Sequence, residues 1–177
     1  MKLNKLVVML GLVAATTSGA AFAATEGSGT VTFKGAIIDA PCSITPDTTD
    51  QTVNLGQVSS NALLGGGTSS PQQFNIKLEG CDVSALAKKT VTTAFNGVAD
   101  GDNLSLQGGT AAGAAIVIVD STGAPIKIND AIGGAPESIV DGSNTLHFSA
   151  YLKGDTGSSA IQTGDFASVA SFVLAYQ

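Results

Sequence analysis

The sequence contains no tryptophan and no arginine, one histidine (His147) and two cysteines. A structural zinc site needs about four Cys, His or carboxylate ligands, so this composition argues against a metal centre. Nucleic-acid binding depends on clustered cations, whereas the few lysines here are dispersed along the chain. Aromatic residues make up only 5% of the sequence. Since sugar-binding modules often stack aromatic rings on their ligand, a lectin is only a second choice.

No apolar run approaches the roughly 18 residues that a membrane-spanning helix needs. The apolar run at residues 6–15 follows Lys2 and Lys5 and precedes the small-residue site Ala21-Phe22-Ala23. That order is typical of a secretory signal peptide, so we expect residues 1–23 to be removed by cleavage after Ala23. The mature chain of 154 residues is then expected to be exported, to form one domain and not to insert into a membrane.

All fourteen acidic residues but only six of the eight lysines follow residue 23, so the mature chain has a net charge of −8. This charge disfavours binding to anionic membrane surfaces. A pair of cysteines in a chain that leaves the reducing cytosol is typical of a disulfide. We therefore predict a bond between Cys42 and Cys81, which would stabilise the fold by roughly 3 to 4 kcal/mol.

Apolar residues alternate with polar ones at period two through most of the chain, which is typical of β-strands. Gly, Asp, Asn, Ser and Pro separate these segments and supply turn signals. A short helical turn is expected only at 83–89. The pattern predicts an all-β sandwich, with strands at residues 29–35, 52–58, 73–80, 90–97, 114–120, 144–154 and 166–177.

The residues that could perform chemistry form no recognisable catalytic motif. In "NTLHFSAYLKG" (144–154) the apolar residues share one strand face, which places His147 on the exposed polar face. The alternative, a general base that meets a nucleophile in space, has no Gly-x-Ser-x-Gly motif to support it. Asp100 and Asp102 lie in "ADGDN", but the glutamate that would complete a calcium-binding loop is missing, so a turn is expected there. We predict neither enzymatic activity nor a cofactor.

The start of the expected mature chain, "ATEGSGTVTFKGAIIDAPCSI" (24–44), alternates in a way that suits a strand. It is rich in glycine and poor in bulky apolar residues, so it is poorly suited to nucleating a domain of its own. One side of this segment carries Gly27, Gly29, Val31 and Phe33.

The end of the chain, "ASFVLAYQ" (170–177), alternates as well, with an aromatic residue next to last and Gly164 as the fourteenth residue from the end. Together with the "APCSI" cysteine, this order resembles the pilins of chaperone–usher fimbriae, particularly type 1-like major subunits. The resemblance covers nearly the whole mature chain.

The resemblance implies an incomplete immunoglobulin-like β-sandwich that is completed by a donor strand from another chain. Residues 24–36 would be the donor strand and 37–177 the pilin domain, and Gly27, Gly29, Val31 and Phe33 would face into the neighbouring subunit. The alternative for Gly29 is that it only makes a linker flexible. The acceptor groove, which would also be recognised by the chaperone and the usher, would involve Gly164, Ala170, Phe172, Leu174 and Tyr176.

The function implied by the resemblance is that of a structural subunit of a cell-surface fimbria, which supports adhesion and biofilm formation by forming the shaft. Its partners would be identical or homologous subunits, a periplasmic chaperone and an outer-membrane usher of a Gram-negative bacterium. The alternative is a minor adaptor or tip subunit that binds a receptor or carbohydrate directly. Tip adhesins of the family carry an additional domain, for which 154 residues leave no room.

Overall fold

The computed structural model describes residues 29–157 and 160–177, and the chain divides into two units after Ile37. The expected signal peptide and Gly27 lie outside the described residues. In the first unit, residues 29–37 form neither helix nor strand, and their apolar side chains are exposed. The prediction of a strand at 29–35 is therefore wrong for the free chain. An alternating segment becomes a strand only when a neighbouring backbone completes its hydrogen bonds.

The second unit, residues 38–177, is built almost entirely of strands. The helical elements are α1 (Pro46–Thr49), α2 (Ser60–Leu63) and a 3-10 turn (Leu64–Gly66). The strands are β1 (Ser43–Ile44), β2 (Gln72–Cys81), β3 (Thr90–Gly97), β4 (Ala99–Asp100), β5 (Asn103–Ser105), β6 (Ala114–Val119), β7 (Pro125–Ile126), β8 (Glu137–Ser138), β9 (Gly142–Gly154) and β10 (Ala170–Tyr176). In the described part of the chain, none of the helices is long and apolar enough to cross a membrane.

The strands form two antiparallel sheets of unequal size. The larger has the order β1-β2-β9-β6-β5-β4, with β7 also paired to β6, and the smaller has the order β10-β3-β8. Buried residues of both sheets belong to one hydrophobic core. The predicted all-β sandwich is confirmed, and its smaller sheet ends at β10.

Four predicted strands, at 73–80, 90–97, 114–120 and 144–154, correspond to β2, β3, β6 and β9. The segment predicted at 52–58 is not a strand, and the last strand begins only at Ala170. The expected helical turn at 83–89 is a turn closed by the bond from the Leu86 N–H to the Val83 carbonyl, without a helix. Short strands such as β4 and β8 were not predicted because two residues carry no readable period.

Four phenylalanines join the two sheets in the core. Phe74 and Phe148 face each other across β2 and β9 and stack at 5.5 Å between ring centroids. Phe95 of β3 contacts Phe148 edge to face, with 5.4 Å between ring centroids. The ring centroid of Phe172 in β10 lies 6.4 Å from that of Phe95. Edge-to-face and offset contacts of this kind add to the free energy of apolar burial. The strand β10 is therefore attached to the core through Phe172.

The predicted disulfide between Cys42 and Cys81 is present, and both cysteines are buried. It joins the chain just before β1 to the last residue of β2. Next to it, the Asp82 N–H donates to the Pro41 carbonyl at 2.9 Å. Since β1 is only two residues long, the covalent bond is the main attachment at the start of the domain.

Asp120 is a buried carboxylate that anchors the turn between β6 and β7. Its Oδ1 accepts hydrogen bonds from the N–H groups of Thr122 and Ala124 and from the Thr122 hydroxyl, and its Oδ2 accepts one from the Ala135 N–H at 3.1 Å. Burial by itself would raise the pKa of Asp120, but these hydrogen bonds outweigh it and lower the pKa below its ordinary value. The carboxylate thus connects the turn to the chain that leads into β8.

We expect Asp120→Asn to lower the free energy of unfolding by roughly 1 to 3 kcal/mol at neutral pH, because a charged acceptor of several hydrogen bonds is lost. A depressed pKa in the folded state means that the carboxylate stabilises the fold above its unfolded pKa. That contribution is lost as pH falls through the folded pKa. Urea unfolding between about pH 3 and pH 7 should show the wild type and the variant converging in acid. The exposed Asp155→Asn is the control, and a difference independent of pH would contradict this role.

Candidate functional site

One edge of β10 has no neighbouring strand among the described residues. Gln177 and Thr90 exchange two backbone hydrogen bonds, at 2.9 and 3.1 Å. Because bonded and non-bonded pairs alternate in an antiparallel ladder, the odd-numbered residues of β10 bond to β3. The backbone N–H and C=O groups of Phe172 and Leu174 therefore point to the free edge. An unpaired edge of this kind is a template for pairing with another chain.

The side chains of β10 alternate between solvent and core. Ser171, Val173 and Ala175 are exposed. The other side of the strand is half-buried and packs against the core, with Ala170, Phe172, Leu174 and Tyr176. Inward-facing residues of a closed sandwich are normally fully buried. Half-burial along a whole strand indicates that the core is open beside β10.

An apolar cleft of about 820 Å³ lies beside this strand. One of its walls is formed by residues 161–170 with Phe172, and another by residues 48–58. Its floor includes core residues of both sheets, among them Phe74, Phe95, Leu104, Ile116, Ile118 and Leu152. The cleft therefore gives access from solvent to the hydrophobic core.

The wall at residues 52–58 is the segment "TVNLGQV", for which the sequence predicted a strand. It belongs to neither a helix nor a strand, its backbone has a positive φ at Gly56, and Leu55 and Val58 pack against the core. Apolar and polar residues do alternate in this segment, but no described strand pairs with it. Sequence reasoning did not assign this segment to the site, although its two-residue period was the signal that could have done so. The cleft is thus bordered by the free edge of β10 and by a segment with which no described strand pairs.

Gly164 lies in the other wall, where the chain packs tightly against residues 110–111. The N–H groups of Thr110 and Ala111 donate to the Asp165 carbonyl at 3.1 and 3.3 Å. A Cβ atom on Gly164 would collide with the Thr110 Oγ1 and would lie 2.8 Å from the Ala111 nitrogen. This position therefore has room only for glycine.

Tyr176 is the last residue of β10 and lies opposite Val91 of β3. Its side chain is half-buried against the core, and this burial raises the pKa of the phenol above its ordinary value. The next residue, Gln177, accepts backbone hydrogen bonds from Lys88 and Thr90. The chain end is thus held in place by β3.

His147, Asp100 and Asp102, which the sequence also singled out, are not part of the cleft lining. His147 is exposed, as predicted, and its Nδ1 lies 2.8 Å from Asn75 Oδ1. Asp102 pairs with Lys127 at 3.0 Å in an exposed turn. Of the expected donor residues, Gly29, Val31 and Phe33 are exposed, with Val31 at 77% and Phe33 at 91%. Of the predicted C-terminal residues, Gly164, Ala170 and Phe172 line the cleft, whereas Leu174 and Tyr176 do not.

Residues 31–177 match the model of the family described as "Fimbrial protein". The chain is 53% identical to the "Fimbria A protein" of Serratia marcescens and 47% identical to the "Major MR/P fimbria protein" of Proteus mirabilis, and each alignment covers both chains completely. It is also similar to a solved chaperone–usher pilus, with a TM-score of 0.72, 39% identity, and coverage of 86% of this chain and 97% of that one. The P pilus rod subunit PapA aligns with a TM-score of 0.68 and 36% identity, over 78% of this chain and all of that one.

We expect Gly164→Ala to lower the free energy of unfolding by roughly 1 to 3 kcal/mol, because the added methyl group must displace backbone at residues 110–111. The matched control is Gly157→Ala, since a Cβ atom there meets nothing within 4 Å. Urea unfolding midpoints of the two variants measure the difference. Equal midpoints would show that the backbone at residues 110–111 can move without lowering the free energy of unfolding.

Proposed function

The chain belongs to the fimbrial protein family, and from that premise we propose that copies of it polymerise when residues 24–36 of one copy fill the cleft of the next. Family members are structural subunits of fimbriae rather than enzymes, and they are secreted and located in the extracellular fimbria. The solved pilins that the chain resembles have an incomplete immunoglobulin-like sandwich, and the present fold is of that kind. The chain is accordingly a structural subunit of a fimbria.

The observation that carries the polymerisation proposal is the free edge of β10 beside an open apolar cleft. A strand added at this edge would pair with the backbone groups of Phe172 and Leu174 and would close the core. The segment at the other end of the chain has the matching pattern, because Val31 and Phe33 lie two residues apart and are exposed. Burial of each side chain would contribute about 1.5 to 3 kcal/mol.

Glycines complete the inward side of the proposed donor strand at Gly27 and Gly29. Where the floor of the cleft approaches the incoming backbone, a position without Cβ allows the strand to lie deeper. Each copy carries both a donor segment and a cleft. A contact of this type repeats head to tail without closing, and so builds a filament.

Before assembly, the same cleft requires a different partner. An exposed apolar cleft next to an unpaired strand edge favours aggregation. We assign the temporary protection to a periplasmic chaperone and the exchange of strands to an outer-membrane usher. Both would recognise the C-terminal strand and its approach, that is Gly164, Ala170, Phe172, Leu174 and Tyr176. In this scheme residues 1–23 are the export signal and residues 37–177 are the pilin domain.

Removing residues 24–36 from the mature chain is expected to abolish filaments, because the cleft then has no donor strand. Electron microscopy of cells that carry the truncated gene as their only copy gives the measurement. The control is Thr30→Ala with Thr32→Ala, which alters only the outward side and should leave filaments intact. Filaments built from the truncated chain would refute the proposal.

Gly29→Leu should slow the exchange of subunits at least tenfold if a Cβ at this position clashes with the floor of the cleft. Thr30→Leu places the same side chain on the opposite side of the strand and should leave the rate within about twofold of the wild type. The rate of filament growth from purified mature subunits distinguishes the two. Equal rates would show that Gly29 serves only as part of a linker.

A further inference from the structure

The charges around the cleft are all of one sign. Its lining contains two charged side chains, Asp50 and Asp165, and no lysine among the described residues. Both carboxylates are exposed. Asp50 directly follows α1 in one wall, whereas Asp165 belongs to the other wall, where hydrogen bonds to Thr110 and Ala111 hold its backbone.

These two carboxylates have no cationic partner within the described part of the chain. The salt bridges found there are Lys77–Asp47 and Lys127–Asp102, and neither includes a residue of the cleft lining. The rim of the cleft therefore keeps two unbalanced negative charges. A cation brought to the rim would gain favourable Coulomb energy there.

The proposed donor segment, residues 24–36, carries two charged side chains, Glu26 and Lys34. Of these, Lys34 directly follows Phe33, and it is exposed. Strand alternation places Lys34 on the side opposite Val31 and Phe33. When those two side chains point into a cleft, Lys34 points out toward its rim, where the carboxylates lie.

We propose that Lys34 of one copy forms ion pairs with the rim carboxylates Asp50 and Asp165 of the next copy, and that this attraction accelerates insertion of the donor strand. The proposal rests on the polymerisation proposed above and names a specificity-determining residue for that contact. The occupant of the cleft is the donor segment, residues 24–36, of a second copy of this chain. The positive charge of Lys34 complements the negative rim, and the alternation of Val31 and Phe33 matches the apolar floor.

The size of the effect follows from the exposure of the three groups. Ion pairs between exposed side chains contribute little to affinity, because water screens them. Complementary charges instead accelerate encounter and fix orientation, and this effect weakens with ionic strength. Lys34 should therefore affect the rate of polymerisation more than the stability of the finished filament.

The test compares the rate at which the full mature chain forms filaments, measured as filament length against time by electron microscopy, which separates filaments from aggregates, at about 20 mM and about 500 mM NaCl. Lys34→Glu should slow polymerisation about tenfold at low salt and much less at high salt, and Lys34→Gln should be intermediate. Lys153→Glu makes the same charge change on an exposed strand residue outside the cleft lining and should keep the wild-type rate. The triple variant Lys34→Glu, Asp50→Lys, Asp165→Lys restores opposite charges and should recover most of the rate.

Two outcomes would refute the proposed ion pairs of Lys34 and would leave the donor-strand mechanism unaffected. One is that Lys34→Glu and Lys153→Glu polymerise at the same rate at low salt. The other is that Lys34→Glu and Lys34→Gln are equally slow at both salt concentrations, since the loss would then not depend on charge. Filaments from the chain that lacks residues 24–36 would refute the underlying mechanism instead.

Discussion

The open side of the core depends on one feature, which is the unpaired edge of the last strand, β10. β10 bonds to β3 through its odd-numbered residues, which leaves the backbone groups of Phe172 and Leu174 without a neighbouring strand in the described chain. Water can satisfy these groups, but it cannot cover the apolar side chains on the same strand. The free edge and the open cleft are therefore two results of one missing strand.

The fold tolerates this gap because its two sheets are attached to each other elsewhere. The larger sheet pairs β2, β9 and β6 over long registers, and it contains deeply buried residues such as Ile76 and Leu78. Phe95 and Phe148 connect the smaller sheet to it, and the disulfide fixes the start of the domain. These contacts hold the two sheets together beside the open cleft.

The sequence predicted the long strands well, because β2, β3 and β9 alternate over eight or more residues and β6 is apolar throughout. It failed at 29–35 and 52–58, where the pattern is equally clear but no strand forms. Periodicity reports which side chains can share a face, whereas a strand also requires a hydrogen-bonded neighbour. Both failures involve segments that lack such a neighbour among the described residues, and residues 52–58 line the cleft.

The sequence by itself determined the fold class, the cysteine pair and the alternation of Phe172 and Leu174, because each depends on local spacing or composition. Only the tertiary structure decided that residues 48–58 and 161–170 border the same cleft and that Asp50 and Asp165 are the charges in its lining. It also decided why Gly164 must be glycine, through its packing against Thr110. These facts concern residues far apart in the chain, and their distances are set by how the two sheets pack.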